Sequence, residues 1–357
     1  MKRQKETKPE KSDTGNLKLA DVALRAGVSV STVSRVVNGS PLVNPQKQAA
    51  VKKVMQEMGY EPLPIERRRG ARKPLDAAPS KQSVRVVLVG ELGLNWITDY
   101  APVYAYALNG IEQALAELKI NRTIERVSSV EEFSALVNGG GSDGFLVLDT
   151  TGRASFAPMS GQSPVVAFMG IHDGTPFDRV TPDHYLAGEL AANHLRQTGC
   201  KSFAVLGGRS PIYDRRVLAF TTTITRSGGE VTDLWAPDLL NRGPSLHQVM
   251  AEAVGPLVDS LAGRKKRPLG LFLTMDILAP CVYAELARVG LTVGKDIHVV
   301  SCNNERPYLN SLHPQPAVVD VRAAEIGRRA MFQLLQRMRF PKEACVSLLV
   351  APELVEP

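Results

Sequence analysis

The stretch from Leu17 to Tyr60 constrains this chain most, and its centre reads A-G-V-S-V-S-T-V-S-R-V-V-N-G from Ala26 to Gly39. Apolar residues at Leu19, Val22, Ala23 and Ala26 recur at helical spacing, and Ala-Gly-Val then breaks the pattern. The period predicts a second short helix from about Val30 to Val37. Its Val33, Val36 and Val37 can face a small core, while Val30, Ser31, Ser34 and Arg35 fall on the other face. Asn44 as cap and Pro45 as first residue open a third helix, which runs to Met58 and stops at Gly59. Two short helices joined by a tight Gly-containing turn, with small polar side chains and one Arg outward, describe a helix-turn-helix. Small side chains let the front of a helix approach the major groove, and an Arg can fork onto a guanine edge. On spacing alone, a plain solvated helical hairpin remains open.

Charge is distributed unevenly. Residues 1–73 hold 16 Lys and Arg against 7 Asp and Glu, whereas residues 74–357 hold 27 against 29. The positive surplus therefore sits with the helix-turn-helix, as expected of a module that binds a phosphate backbone. The four cysteines, Cys200, Cys281, Cys302 and Cys345, stand alone with no C-x-x-C, and read as thiols in a reducing cytosol. The N-terminus has no apolar h-region, and no apolar run approaches the ~20 residues that span a bilayer. A cytoplasmic chain with no membrane contact is the expectation.

At 357 residues the chain is too long for one ordinary domain. Residues 1–16 read as a disordered basic tail, 17–61 as the helix-turn-helix domain, and 62–82 as a Pro- and Arg-rich hinge or linker. From 83 to 357 the pattern alternates. Apolar strand-length runs lie at 84–90, 145–148, 165–168, 203–206, 269–273 and 297–301. Helices are predicted through Leu108, Ile111, Leu115 and Leu118 and around 185–197, 214–227, 245–262, 279–289 and 323–338. The fold class is α/β: two doubly wound parallel-sheet lobes with a cleft between them, preceded by a small all-α domain. Ligands in such sheets sit outside the carboxyl ends of the strands.

Signatures of catalysis are missing. V-L-G-G-R-S at 205–210 lacks G-x-G-x-x-G, and no P-loop or G-x-S-x-G elbow occurs. The six histidines show no metal-binding spacing. The expectation is no enzyme, no cofactor and no metal.

D-V-A-x-x-A-G-V-S-x-x-T-V-S-R-V-x-N-G, from Asp21 to Gly39, resembles the headpiece of the lac repressor family of bacterial transcription regulators. The likeness extends more loosely over nearly the whole chain, whose body resembles the periplasmic-binding-protein-like core of that family. It implies that Val30, Ser31 and Arg35 read base edges, while Ser29, Thr32, Ser34 and Asn38 bind phosphates. Lys18 stands where the family has a Thr cap, so the first helix is expected to be less well capped. The resemblance also implies three crossings between lobes, near Val180, near Asn303 and after about Met338. Lobe 1 would then hold about 83–180 and 304–338, and lobe 2 about 181–303 and 339–357.

For the cleft, the resemblance implies that Arg216 and Asp276 contact an effector, joined by Asp183 and by Asn303 at a position usually held by Asp. Trp96, Tyr100 and Tyr104 lie near its mouth, suited to stacking on a sugar or base and equally suited to packing. In the hinge, Arg67, Arg68 and Arg69 are placed against DNA, with Arg69 where the family has a wedging Leu. An Arg cannot wedge cheaply but can enter a narrow, negative minor groove, so an A·T-rich centre read by shape is expected. The implied function is a repressor acting as a homodimer on a pseudo-palindromic operator, without a C-terminal leucine heptad for tetramers. Its effector would be a sugar or sugar phosphate. A nucleobase-like corepressor, or a solute-binding protein that reads no DNA, are the alternatives.

Overall fold

The computed structural model describes residues 18–37, 43–60, 83–90, 97–99, 101–149, 156, 163–170, 177–208, 210–236, 246–264 and 267–357. The tail 1–16, Asn38, the hinge 62–82 with Arg67, Arg68 and Arg69, and the cleft aromatics Trp96 and Tyr100 lie outside them. The chain divides into two compact units, residues 1–77 and 78–357.

Among its described residues the first unit has three helices, α1 (Leu19–Ala26), α2 (Val30–Val37) and α3 (Pro45–Glu57). Val22, Ala23, Val33, Val36 and Val51 form its buried core, one stripe from each helix. Gly27 ends α1 at φ 65, a left-handed turn that glycine enters at no steric cost, and Val28 N–H closes it on Ala23 O at 3.1 Å. Asn44 caps α3 by accepting from Gln46 N–H at 2.9 Å, with Pro45 in the first turn. No side chain caps α1 from Lys18, as its replacement of Thr predicts, but Asp21 Oδ2 accepts from the Lys18 backbone N–H at 2.8 Å. Half of a capping box survives.

The second unit holds two six-stranded sheets. In the first the order is β11-β5-β4-β3-β1-β2, all parallel, from β1 (Ser83–Val89), β2 (Asn121–Val127), β3 (Gly144–Asp149), β4 (Val165–Phe168), β5 (Asp178–Pro182) and β11 (Ser347–Val350). In the second it is β12-β10-β9-β8-β6-β7, from β6 (Ser202–Gly208), β7 (Val231–Ala236), β8 (Leu269–Leu273), β9 (Ile297–Cys302), β10 (Ala317–Asp320) and β12 (Glu353–Val355). Only β12 runs antiparallel, against β10. Apart from the direction of that edge strand, the two sheets share one strand order, a likeness that the sequence does not betray. Strands β3, β4 and β8 are buried at every position, as parallel strands covered on both faces must be.

Helices α4 (Pro102–Leu118), α5 (Val130–Gly139), α6 (His184–Gln197), α7 (Pro211–Arg226), α8 (Leu246–Ala262), α9 (Ala279–Arg288), α10 (Arg306–Leu309) and α11 (Ala323–Arg339) complete the unit. Helix α11 packs on α4 and on β3, β4 and β5, so it belongs to lobe 1. The approach is close enough that a Cβ on Gly110 would lie 1.9 Å from Ala324 O, and one on Gly327 1.9 Å from Ala107 O. Only glycine fits at either position. Arg337 anchors the far end of α11, donating to buried Asp178 from Nε at 2.9 Å and Nη2 at 2.6 Å.

Two of the three expected crossings are displaced. The first falls where expected, between β5 and α6. The second lies between β10 and α11, near Val321, not near Asn303, because β10 pairs with β9 and buries Val318 and Val319 in the lobe 2 sheet. Residues 304–320 therefore belong to lobe 2. The third lies between β11 and β12, not after Met338, because β11 joins β5 in lobe 1. No described helix is long and apolar enough to cross a membrane.

Candidate functional site

In the headpiece, α2 sets its polar face outward. Val33 and Val36 are buried, whereas Ser29, Val30, Ser31 and Arg35 are exposed and Thr32 and Ser34 are half-buried. Val30 is 48% exposed at the start of α2. Ser29 accepts from Thr32 N–H at 3.2 Å, and its hydroxyl lies 2.8 Å from those of Ser31 and Thr32. That hydroxyl cluster caps the helix and presents donors at its positive end, the arrangement that suits a phosphate.

In the second unit, polar side chains converge where strands end. Arg216 is only 2% exposed. Helix α7 starts at the Ser210 cap, and α6 approaches it through Gly188, whose absent Cβ would lie 2.2 Å from Arg216 O. Arg216 Nε donates to His184 Nδ1 at 3.2 Å, and its Nη1 donates to Thr274 O. The guanidinium also lies over the Tyr213 ring, 5.9 Å from its centroid.

Asp276 opens the short 3-10 turn after β8 and is fully buried. It accepts from the Ser301 hydroxyl and from Glu305 N–H at 2.6 Å. Burial raises its pKa to about 6 against those hydrogen bonds. Asn303 follows β9 at φ 119, and its Nδ2 donates to Glu305 Oε2 at 3.1 Å. An Asp could not make that bond to a carboxylate, which gives the departure at this position a local reason.

Glu305, buried to 2% exposure, reaches across to lobe 1, where its Oε1 accepts from Val103 N–H at 3.0 Å in the first turn of α4. Orphan N–H groups at a helix start favour such a carboxylate. Burial, and next the charge of Asp276, raises the Glu305 pKa to about 8. Tyr308 adds a second link between lobes, donating from its hydroxyl to Asp99 O at 2.9 Å. Tyr104, on α4, has its pKa raised by burial and then by the charges of Tyr213, Asp149 and Glu305.

Arg216, Asp276, Asn303 and Tyr104 are thus brought to one place. Asp183 is engaged otherwise, capping α6 by accepting from Leu186 N–H at 2.9 Å. Four neighbours escape a reading of the sequence: Glu305, His184, Thr274 and Asp149. Glu305 stands two residues beyond Asn303 and could have been flagged as a second acid in the loop after β9.

Two family models match the chain. Residues 18–62 match bacterial regulatory proteins of the lacI family, and residues 192–356 match a periplasmic binding protein-like domain. Together these stretches take in more than half of the sequence. The chain thus carries a lacI-family DNA-binding domain followed by a periplasmic binding protein-like domain. It is 27% identical over 345 residues to catabolite control protein A of Priestia megaterium, covering 94% of this chain and 96% of that one. Among solved structures, the fold is similar to that of the transcriptional regulator CelR in its cellobiose complex. That match has a TM-score of 0.62 at 22% identity, over 96% of this chain and 99% of the other. The lac repressor dimer bound to operator and the anti-inducer ONPF has a TM-score of 0.60 at 19% identity, over 95% and 98%.

Proposed function

We propose that this lacI-family regulator is a cytoplasmic, sequence-specific repressor that binds a pseudo-palindromic operator as a homodimer and responds to a sugar or sugar derivative in the interlobe cleft. The observation that carries DNA reading is α2. An exposed Val30, Ser31 and Arg35 stand over buried Val33 and Val36, so the reading face is held rigid by the core. Val30, Ser31 and Arg35 contact base edges, and Ser29, Thr32, Ser34 and Asn38 hold phosphates. A dimer supplies two such helices, hence two half-sites. Arg67, Arg68 and Arg69 would add minor-groove contacts at an A·T-rich centre. Effector binding acts by its different affinity for two arrangements of the lobes, held at present by the bonds from Glu305 and Tyr308 to lobe 1. The relatives bound to cellobiose and to operator DNA support this reading.

The test is selection from a random duplex library, followed by anisotropy titration of the winner with wild type and Arg35→Ala. A palindromic winner is expected, with affinity and base preference both reduced in the variant. No enriched sequence, with equal weak binding by both proteins, would sink the proposal.

A further inference from the structure

Two buried carboxyl groups are held in opposite ways. Asp178 forms an ion pair with Arg337 Nη2 at 2.6 Å, both within lobe 1. Glu305, which spans the lobes, has two neutral partners: Val103 N–H on its Oε1 at 3.0 Å and Asn303 Nδ2 on its Oε2 at 3.1 Å. Among the described residues no cation lies within hydrogen-bond reach of it. A second acid lies beside it instead, since Asp276 Oδ2 accepts from the Glu305 backbone N–H at 2.6 Å. A carboxyl so buried, without a paired charge, is more stable as the neutral acid. Asn303 suits either form, because an amide donates to a carboxylate and, turned over, accepts from a carboxylic acid.

The groups facing Glu305 fix which of them titrates near neutrality. Asp276, from the turn after β8, opposes its ionisation, and Arg216, from α7, favours it. Lobe 1 presents Tyr104 and Tyr106 on α4, with Arg306 of α10 against Tyr106, and β9 presents Cys302. Burial pushes the pKa values of both tyrosines and of Cys302 up, away from neutrality. Asp276 titrates lower, at about 6, and His184, bonded to Arg216, is held neutral by burial. Glu305 is left to cross near pH 8. With the lobes parted, its carboxyl would meet water and ionise near the ordinary 4.5. The closed arrangement therefore holds a proton that the open one releases. We propose that Glu305 is a proton-dependent latch: closing the lobes takes up one proton on its carboxyl, and losing that proton parts them. The latch needs no ligand, and only its effect on DNA rests on the function proposed above.

Pro102 has no N–H, so Val103 carries the first amide of α4, and its hydrogen exchange reports the latch directly. Exchange would be followed in the full chain at about pH 7 and about pH 8.5, relative to the Leu115 amide deeper in the same helix. The ratio cancels the intrinsic effect of pH on exchange. Protection of Val103 should fall on the order of tenfold over this range in the wild type. It should stay level in Glu305→Gln, which keeps an oxygen for that amide and carries no charge. Equal protection at both pH values in the wild type, or an equal fall in both proteins, overturns the latch. Where Glu305→Gln does not fold, Asp276→Asn replaces it. Without the neighbouring charge, protection should be lost at lower pH, and an unmoved onset overturns the latch. Operator affinity gives the second arm. Residues 1–77 hold neither His nor Cys, so side chains of the DNA-binding unit do not titrate in this range. Affinity for the selected duplex should change severalfold between the two pH values in the wild type and not in Glu305→Gln. Unchanged affinity alongside a working latch overturns its link to DNA. Failure to select any duplex sinks the DNA reading and leaves the exchange result standing.

Discussion

Arg35 and Arg216 stand at opposite extremes of this molecule. Arg35 projects from α2 into water above a core of five buried residues, and Arg216 lies at 2% exposure among buried carboxyl groups. On the reading proposed above, the first surface works through charges that are already solvated, so its energy comes from displacing counterions and depends on salt. The second works through charges removed from water, so its energy comes from desolvation and hydrogen bonds and depends on pH. One chain therefore carries two electrostatic regimes, one on a solvated face and one in a buried site.

Salt should separate them most sharply. Raising salt from about 50 to about 200 mM is expected to weaken operator binding on the order of a thousandfold, for six or more phosphate contacts. Sugar affinity measured by calorimetry over the same range should change less than about twofold, because buried groups are poorly screened. A flat operator isotherm would falsify the contrast.

Ion pairs give the next contrast. Asp178 is fully buried and accepts from Arg337, from Gln333 Nε2 at 2.7 Å and from Val346 N–H at 2.8 Å. Burial alone would raise its pKa, and these donors outweigh it and hold the pKa below its usual value. Arg337→Ala leaves that carboxylate uncompensated and should cost about 3–5 kcal/mol in denaturant unfolding of the core. In the headpiece, Lys53 and Glu57 pair at 3.9 Å with both side chains exposed. Lys53→Ala should cost less than about 0.5 kcal/mol.

The pH dependence follows from the two raised acids. Glu305 has a folded pKa of about 8 against an ordinary 4.5, and Asp276 about 6 against 3.8. Between those values the folded state binds more protons than the unfolded one. Stability is therefore full at low pH and falls as pH rises, by up to ~1.4 kcal/mol per pH unit for each proton. The decline should run from about pH 4 to about pH 8, and its upper part belongs to Glu305. Glu305→Gln keeps an oxygen for Val103 N–H and carries no charge, so melts of the variant should be flat between about pH 6 and 8. An unchanged slope there would move the titration to another group.

These contrasts also explain what was legible beforehand. The headpiece is local: its core stripe and reading face follow from residues three and four apart, and α1, α2 and α3 fall within a residue or two of expectation. The strong central strands were equally visible, because β3, β4 and β8 are apolar throughout. Strand β2 was not, since it runs along a sheet edge with most of its side chains exposed and has no apolar run to find. Strands β10, β11 and β12, of three or four residues each, were also missed, and with them two of the lobe crossings. In the cleft, Arg216, Asp276 and Asn303 came from resemblance, while Glu305 and His184 required geometry. Glu305 meets Val103 across 202 positions of sequence, and no periodicity records such a contact.

The smallest effect tests the headpiece at its least finished point. Lys18 has no side-chain acceptor for the first turn of α1, although Asp21 already reaches back to its N–H at 2.8 Å. Lys18→Thr would supply an oxygen for the Asp21 N–H and complete the reciprocal pair, worth about 0.5–1 kcal/mol to the headpiece. The gain should appear as slower amide exchange in α1. The same substitution removes one positive charge from the DNA-binding unit. If Lys18 meets a phosphate, the salt slope of operator binding should fall by about one, so that a more stable headpiece binds DNA less tightly. An unchanged slope with slower exchange would leave Lys18 as a helix start that lacks its cap and nothing more.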